Sequence, residues 1–283
     1  MALSFFVKHT VCALLLSVAG SWLMAATPTG SPNQLQRVLA ATELRVCIWP
    51  DYYGITYRNP RTRQLNGIDI DIANELGKEL GVRVRFIDSA FPLLVDNLLG
   101  DKCDIAMHAV GVTPARTAVL AFTQPYLRSD IVAITTANNT AITTWADLDK
   151  PTRVIAVQAG TVMEPVMQRA LKQATLLVVK PPMQRENEVE SGRADAFMTD
   201  YPYSQRMLDM TTWARVVASP QVFHLTDYAY ALAPGDRSLL DRVDRFMATI
   251  NSDGRLRKFA VKYRLDPILI PAADRRKPAQ TGG

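Results

Sequence analysis

The order of the predicted elements constrains the fold of this chain more than any other feature. Between Leu44 and Val110, β-type runs alternate with segments of helical spacing in the order β, α, β, α, β. The segment 68–80 carries apolar residues four positions apart, with two aspartates in its first turn, where the helix dipole favours anions. Gly81 then ends it. This order predicts a parallel sheet with helices on its faces.

The same alternation restarts after residue 130. Further β-type runs, separated by helical segments, occur at 154–157, 176–179 and 194–198. A last strand is predicted at 228–233, followed by two helices. The sequence therefore predicts an α/β protein with two lobes built in succession.

The composition is that of an ordinary globular chain. With 283 residues, of which 48% are hydrophobic and 21% charged, it is neither disordered, collagenous nor a multi-span membrane protein. The formal charge of +5 is spread along the chain without a basic block, so nucleic acid is not expected as a partner. The sequence has no His/Cys cluster with metal spacing and no phosphate-binding glycine loop, so we expect neither a metal nor a cofactor.

The first 26 residues have the pattern of a cleaved secretory signal. A single lysine precedes the apolar stretch 11–18, small residues follow it, and the segment has no acidic residue. We expect cleavage near Ala25 or Ala26 and a periplasmic protein. A membrane anchor is the alternative, but the apolar run is short for a span. Residues 27–42 are predicted to form a flexible leader and residues 268–283 a disordered tail.

Two cysteines, Cys47 and Cys103, lie in the predicted mature chain. Both fall on strands that the β-α-β order makes neighbours, and adjacent strands about 4.8 Å apart are within bonding range if the side chains face the same way. An exported protein can keep a disulfide. We therefore expect a Cys47–Cys103 disulfide.

Seven short motifs occur in a characteristic order, at residues 67–73, 98–105, 112–116, 122–126, 159–161, 191–196 and 254–263. Together they resemble the family 3 periplasmic solute-binding proteins, which include the receptors for polar and basic amino acids in ABC importers. The resemblance implies a periplasmic-binding-protein-like fold with a ligand cleft between two lobes joined by a two-strand hinge. The expected bounds are 43–129 plus 226–267 for lobe one and 130–225 for lobe two.

The resemblance also implies a charged residue from each lobe at the ligand. In that family an Arg after a Thr-Pro-x sequence grips the ligand's carboxylate, and Arg116 stands in that place; its donor fork matches a carboxylate. An Asp beyond the strand that follows the Gly-Arg-x-Asp-Ala turn accepts the ammonium, and here that is Asp200. Asp200 is also placed to cap the next helix, and the two roles are compatible.

The third element of the site is a glycine turn opening a helix, where backbone N–H groups are free to meet a carboxylate. Here the turn is formed by Gly160, Thr161 and Val162. This sequence departs from the family, which often has a hydroxyl residue where Val162 stands and hydroxyls where Gly111 and its neighbours stand. Carboxylate binding through the backbone amides of Gly111 and Val162 is compatible with those changes.

Aromatic residues are expected at the side-chain end of the ligand. The resemblance places Tyr52 over the ligand, Phe91 in the wall, and Trp49 where receptors for basic amino acids can carry an Asp. Such a pocket favours neutral, aromatic or apolar ligands over Lys or Arg. Trp49 as a plain core residue is the alternative. His108 is a further candidate contact, although a lone His is more often an interior group.

These features predict a monomeric, non-enzymatic protein that captures a small amino-acid-like ligand by hinge closure and delivers it to an inner-membrane ABC permease. Two alternatives stay open. One is an accessory protein of a periplasmic quinoprotein dehydrogenase, because those proteins share the Leu-Arg-Val-Cys opening. The other is a cyclohexadienyl-dehydratase-like enzyme, with Glu164 near the glycine turn as acid or base.

Overall fold

The computed structural model describes residues 1–2 and 32–271, so the rest of the predicted signal, residues 27–31 and the tail from residue 272 lie outside the described residues. The helices of the described part are α1 (Gln34–Ala41), α2 (Ile68–Leu80), α3 (Leu94–Leu99), α4 (Pro114–Thr117), α5 (Met163–Ala170), α6 (Arg185–Glu190), α7 (Tyr201–Met210), α8 (Ser238–Ser252) and α9 (Arg255–Lys262). Its strands are β1 (Glu43–Ile48), β2 (Asp51–Tyr52), β3 (Thr56–Arg58), β4 (Leu65–Asn66), β5 (Arg83–Asp88), β6 (Ile105–Gly111), β7 (Ala121–Phe122), β8 (Leu127–Ser129), β9 (Val132–Thr136), β10 (Val154–Gln158), β11 (Thr175–Val179), β12 (Ala196–Thr199), β13 (Ala214–Ala218) and β14 (Thr226–Leu232).

The first large sheet has the strand order β5-β1-β6-β14-β7, with β8 also paired to β14. β1 runs parallel to β5 and β6, whereas β14 is antiparallel to β6. The sheet is therefore mixed instead of purely parallel, because β14 enters the sheet directly from the second half of the chain without a helical crossover. We call the part of the molecule built on this sheet lobe one.

Helices cover both faces of this sheet. Val46 packs in one cluster with Ile72 of α2, while the next residue, Cys47, faces the other side with Leu94 and Leu98 of α3. Side chains of a strand alternate between faces, so a strand buried on both sides reads as an unbroken apolar run. The predicted α/β class is confirmed.

The second large sheet has the order β11-β10-β12-β9-β13. β10 is parallel to β11 and β12, and β9 is antiparallel to β12 and β13. We call the part built on this sheet lobe two. The chain passes from lobe one to lobe two between β8 and β9 and returns between β13 and β14, so two segments join the lobes. No helix of residues 32–271 is both long and apolar enough to cross a membrane.

Two predictions about the chain ends need correction. Residues 34–41 form helix α1 instead of a flexible leader: the helix begins with a capping box of Asn33 and Gln36, and the backbone N–H of Leu35 bonds to the Ser238 hydroxyl at 3.1 Å. Residues 268–271 are not a disordered tail, since the backbone N–H of Ile270 bonds to the Tyr126 carbonyl at 3.0 Å.

Candidate functional site

The carboxyl ends of β1 and β6 in lobe one face those of β10 and β12 in lobe two, where open α/β sheets place their ligands. A cavity of about 20 Å³ lies between them. Its lining comes from both lobes and comprises Trp49, Tyr52, Phe91, Ala109, Gly111, Thr161, Val162, Met163, Arg185, Thr199, Asp200 and Tyr228. The structure thus brings seven of the eight predicted ligand-site residues to one cavity and places the eighth, Arg116, at its edge.

Arg116 joins the two lobes. It lies in α4, which begins at the N-cap Thr113, with Pro at the first helical position. Its Nη1 donates to the Gly111 carbonyl at 2.9 Å in lobe one, and its Nη2 donates to the Gly160 carbonyl at 2.8 Å in lobe two. Burial lowers the pKa of Arg116 to about 10, so the guanidinium stays charged at neutral pH. A cation with two neutral acceptors is poised to take a carboxylate.

Asp200 is 4% exposed and holds three donors at the start of α7. Its Oδ1 accepts the Tyr203 backbone N–H at 3.2 Å, which makes it the N-cap of α7. Its Oδ2 accepts the hydroxyls of Tyr52 and Tyr228, the second at 2.8 Å. Burial raises the pKa of both tyrosines, so they remain neutral donors to the carboxylate. The capping role of Asp200 is thus observed, and its contact with a ligand's ammonium group stays a prediction.

Trp49, Phe91 and Tyr203 form an aromatic row along the cavity. The Trp49 ring lies 5.2 Å from that of Phe91 and is stacked at 5.9 Å on Tyr203. Trp49 is only partly buried and lines the cavity, so it is not a plain core residue. Tyr52 completes the wall, 5.2 Å from Trp49. Aromatic faces of this kind contact apolar parts of a ligand and attract cations.

The glycine turn differs from the prediction at the amides of Gly160 and Thr161, while the predicted contact of the Val162 amide with a carboxylate stays a prediction. The Gly160 N–H donates to Oε2 of Glu164 at 2.7 Å, and the Thr161 N–H donates to the Gln158 carbonyl at 3.3 Å. Both amides are therefore bonded inside lobe two instead of facing the cleft unpaired. Glu164 reaches back to the turn because it lies in the first turn of α5, where an acid meets unpaired N–H groups.

His108 is fully buried beneath the cavity and does not line it. Its Nδ1 lies 3.3 Å from the Cys47 carbonyl, and its ring packs 5.1 Å from that of Phe91. Burial lowers the pKa of His108 to about 4, so the imidazole is neutral at neutral pH. The residue supports the aromatic wall from below.

Arg185 is the charged residue of this site that the sequence analysis missed; the other lining residues that were not predicted are Ala109, Met163, Thr199 and Tyr228. It lies at the first position of α6, is 3% exposed and lines the cavity. Its guanidinium packs over Tyr203 at 4.3 Å and over Phe197 at 5.2 Å. One clue was available, since a cation is unfavourable at the positive end of a helix dipole and its presence there suggests another role.

Comparisons with known proteins agree with this architecture. The family model described as bacterial extracellular solute-binding proteins, family 3, matches residues 44–266. The chain is 27% identical to the cyclohexadienyl dehydratase of Pseudomonas aeruginosa over 252 residues, which cover 89% of this chain and 92% of that relative. It is also 27% identical to the ABC transporter arginine-binding protein 1 of Escherichia coli, over 71% of this chain and 82% of that relative.

Solved structures give the same result. An ancestral amino acid-binding protein, described as a precursor of cyclohexadienyl dehydratase, superposes with a TM-score of 0.75 at 30% identity, covering 81% of this chain and 98% of the other. The fold is shared with Tv2483, solved bound to L-arginine, with a TM-score of 0.76 at 23% identity over 84% of this chain and 96% of the other. The resemblance read from the seven motifs is confirmed: the chain belongs to the bacterial extracellular solute-binding proteins of family 3.

Proposed function

We propose that this chain is a monomeric periplasmic binding protein that captures an α-amino-acid-like ligand between its lobes and delivers it to an inner-membrane ABC importer. One observation carries the proposal. Arg116, bonded to a carbonyl of each lobe, and Asp200, held by two tyrosine hydroxyls, offer a cation and an anion to the same cleft.

A ligand offers Arg116 and Asp200 stronger hydrogen-bond partners than the protein groups that they contact. A carboxylate on Arg116 replaces neutral carbonyl acceptors by a charge-assisted pair of bonds, which are roughly twice as strong as neutral ones. An ammonium group at Asp200 supplies charged donors beside the two tyrosine hydroxyls. An α-amino acid carries both groups on one carbon. The E. coli arginine-binding relative and the putative amino-acid ABC transporter-binding protein of Vibrio harveyi, 25% identical to this chain, support this ligand class.

Ligand entry requires the lobes to separate. The cavity of about 20 Å³ is far smaller than the roughly 300 to 1,000 Å³ of a typical small-molecule pocket. The two segments that join the lobes supply a hinge for this motion. A ligand that bridges Arg116 and Asp200 binds the closed form better than the open one, which is the differential affinity that a population shift requires.

The test is calorimetry with Arg116→Ala and Asp200→Asn, using the amino acid that most raises the melting temperature of the wild type in a screen of the common L-amino acids. Each variant leaves one ligand charge buried and unpaired, so we expect a loss of about 2 to 5 kcal/mol, or roughly 30- to several thousand-fold in affinity. Asparagine keeps the helix cap, but its amide nitrogen cannot accept the hydroxyls of Tyr52 and Tyr228, so Asp200→Asn should melt below the wild type without amino acid, and its affinity is measured at a temperature at which it is folded.

Arg193→Ala is the matched control, because Arg193 is an exposed arginine of lobe two paired with Glu188. It should bind the same amino acid as the wild type does. Binding by Arg116→Ala or Asp200→Asn within about threefold of wild type would contradict the anchoring scheme. Stabilisation by no amino acid at all would favour the accessory-protein alternative, in which function lies on the surface.

A dehydratase is the second candidate, because the P. aeruginosa relative matches most of the chain. Against it, Oε2 of Glu164 already accepts the Gly160 N–H, and that side chain is not among those lining the cavity. We propose that the chain is not an enzyme. Turnover in a cyclohexadienyl dehydratase assay that is abolished by Glu164→Gln would overturn this.

A further inference from the structure

Arg185 is a second cation at the cleft, and the binding scheme above does not use it. Its Nη2 donates to the Thr199 hydroxyl at 2.9 Å, and its Nε has no hydrogen-bond partner. Among the residues that the structure describes, it forms no salt bridge with a carboxylate. A guanidinium buried to this degree with one neutral acceptor is costly unless an anion joins it.

The two cleft arginines lie at opposite ends of the aromatic row. Arg116 packs 5.7 Å from the Phe91 ring at one end, and Arg185 packs 4.3 Å from the Tyr203 ring at the other. Asp200 faces the middle of the row, because it accepts the hydroxyl of Tyr52, whose ring contacts Trp49 and Phe91. The cleft thus presents charges in the order positive, negative, positive.

We propose that Arg185 is a specificity-determining residue that selects an acidic α-amino acid. This inference rests on the proposed function. The α-carboxylate meets Arg116, the ammonium on the same carbon meets Asp200, and a side-chain carboxylate reaches along the aromatic row to Arg185. The arrangement also disfavours a cationic side chain, in line with the prediction from Trp49, but it replaces the neutral ligands expected from the aromatic wall by acidic ones.

Two acidic side chains lie near Arg185, and both have other partners. Asp51 and Glu186 are the nearby acids, and both are engaged by Arg206, at 2.9 Å and 3.5 Å respectively. Asp51 also accepts from Gln184 at 3.2 Å, and Oε1 of Glu186 accepts the Tyr203 hydroxyl at 2.6 Å. These acids offset the charge of Arg185 at longer range without occupying its donors.

The test compares acids with their amides on the full wild-type chain by calorimetry. L-glutamate should bind more tightly than L-glutamine, or L-aspartate more tightly than L-asparagine, by about tenfold or more, the value of one hydrogen bond to a charged group. In Arg185→Gln this preference should fall to about threefold or less, while amide binding changes little. Arg185→Met, which keeps most of the stem's contact with Tyr203, guards against a folding defect in the first variant.

Arg193→Gln is the control, because Arg193 is an exposed arginine of lobe two that is paired with Glu188 and does not line the cavity. It should leave the preference for acids over amides unchanged. Amides bound as tightly as acids by the wild type would overturn this inference and leave the proposed function standing. A preference for acids that survives in both Arg185 variants would also overturn it. If no amino acid bound at all, neither the acids and amides nor any other, both proposals would be overturned.

Discussion

Beneath the cavity, a single carboxylate holds the end of β6 in place. Asp69, in the first turn of α2, is fully buried and accepts the hydroxyls of Tyr126 at 2.6 Å and Tyr230 at 2.8 Å. It also accepts the backbone N–H of Ala109 at 2.9 Å. Ala109 lines the cavity with φ at 47°, a left-handed conformation that costs an alanine roughly 1–2 kcal/mol. Asp69 therefore stabilises a strained residue of the site.

Asp69 should make stability depend on pH. Burial raises its pKa from 3.8 to about 6, although the Tyr126, Tyr230 and Ala109 bonds lower it. Between these values the native state binds more protons than the unfolded state, so the contribution of Asp69 falls as pH rises through the window. The free energy of unfolding of the wild type minus that of Asp69→Asn can be measured by urea titration. This difference should fall by about 3 kcal/mol from the acid end of this pH window to its neutral end. A difference that is flat or grows with pH would contradict this.

The two cleft arginines show what sequence can reveal about single residues. Arg116 could be predicted because it follows the Thr-Pro step in a motif that resembles the family's, and a guanidinium matches a carboxylate. Arg185 stands in a polar stretch, Gln-Arg-Glu-Asn, that reads as a solvated helix start. Its burial arises from Tyr203 and Phe197, which reach it only when α7 and β12 are in place. Contacts of that kind leave no local pattern.

At the scale of elements, the disulfide of Cys47 and Cys103 ties β1 to the segment that enters β6. The two Cα atoms lie 5.7 Å apart and the cysteines are 56 residues apart in sequence. Both side chains belong to the small apolar cluster beneath α3. The bond closes a loop that contains α2, β5 and α3, so it constrains a large part of lobe one in the unfolded chain.

Removing this disulfide should destabilise lobe one without changing the affinity for the ligand. Chain entropy for a loop of this size predicts about 4 kcal/mol. Urea unfolding of the wild type with and without reductant, and of Cys47→Ala/Cys103→Ala, should reveal a loss of that order. Affinity of the refolded variant for its amino acid should stay near wild type, because neither cysteine lines the cavity. Two free thiols in peptide maps of the exported protein would refute the prediction.

Helix α1 shows why element prediction fails at a chain end. Its sequence is short and polar enough to suggest a leader, yet Gln34 donates through Nε2 to the Asp104 carbonyl at 2.9 Å and Val38 is buried. The backbone N–H of Leu35 also bonds to Ser238 of α8, 203 residues further along the chain. The capping box of Asn33 and Gln36 was the one local sign of a helix start.

At the scale of the whole molecule, Gly160 of lobe two lies directly against the backbone of lobe one. Its φ is 73°, and a Cβ there would lie 2.6 Å from the backbone nitrogen of Pro92 in lobe one. The Gly160 carbonyl also accepts from Arg116. The alternation of strands and helices predicted the two sheets, but this contact depends on how the lobes close. The strand patterns of the sequence predicted neither β13 nor the antiparallel direction of β14.

Gly160→Ala should therefore block closure. The added methyl group meets rigid backbone, so the variant should bind the amino acid that best stabilises the wild type about tenfold or more weakly. In small-angle scattering, the amino acid should decrease the radius of gyration of the wild type but not that of Gly160→Ala. Gly192→Ala is the matched control, since Gly192 has a φ of 74° but a Cβ there would meet nothing within 4 Å. Both variants carry the same left-handed strain and should lose similar stability. If Gly192→Ala weakened binding as much as Gly160→Ala does, strain would be the cause, and the contact with Pro92 would have no part in closure.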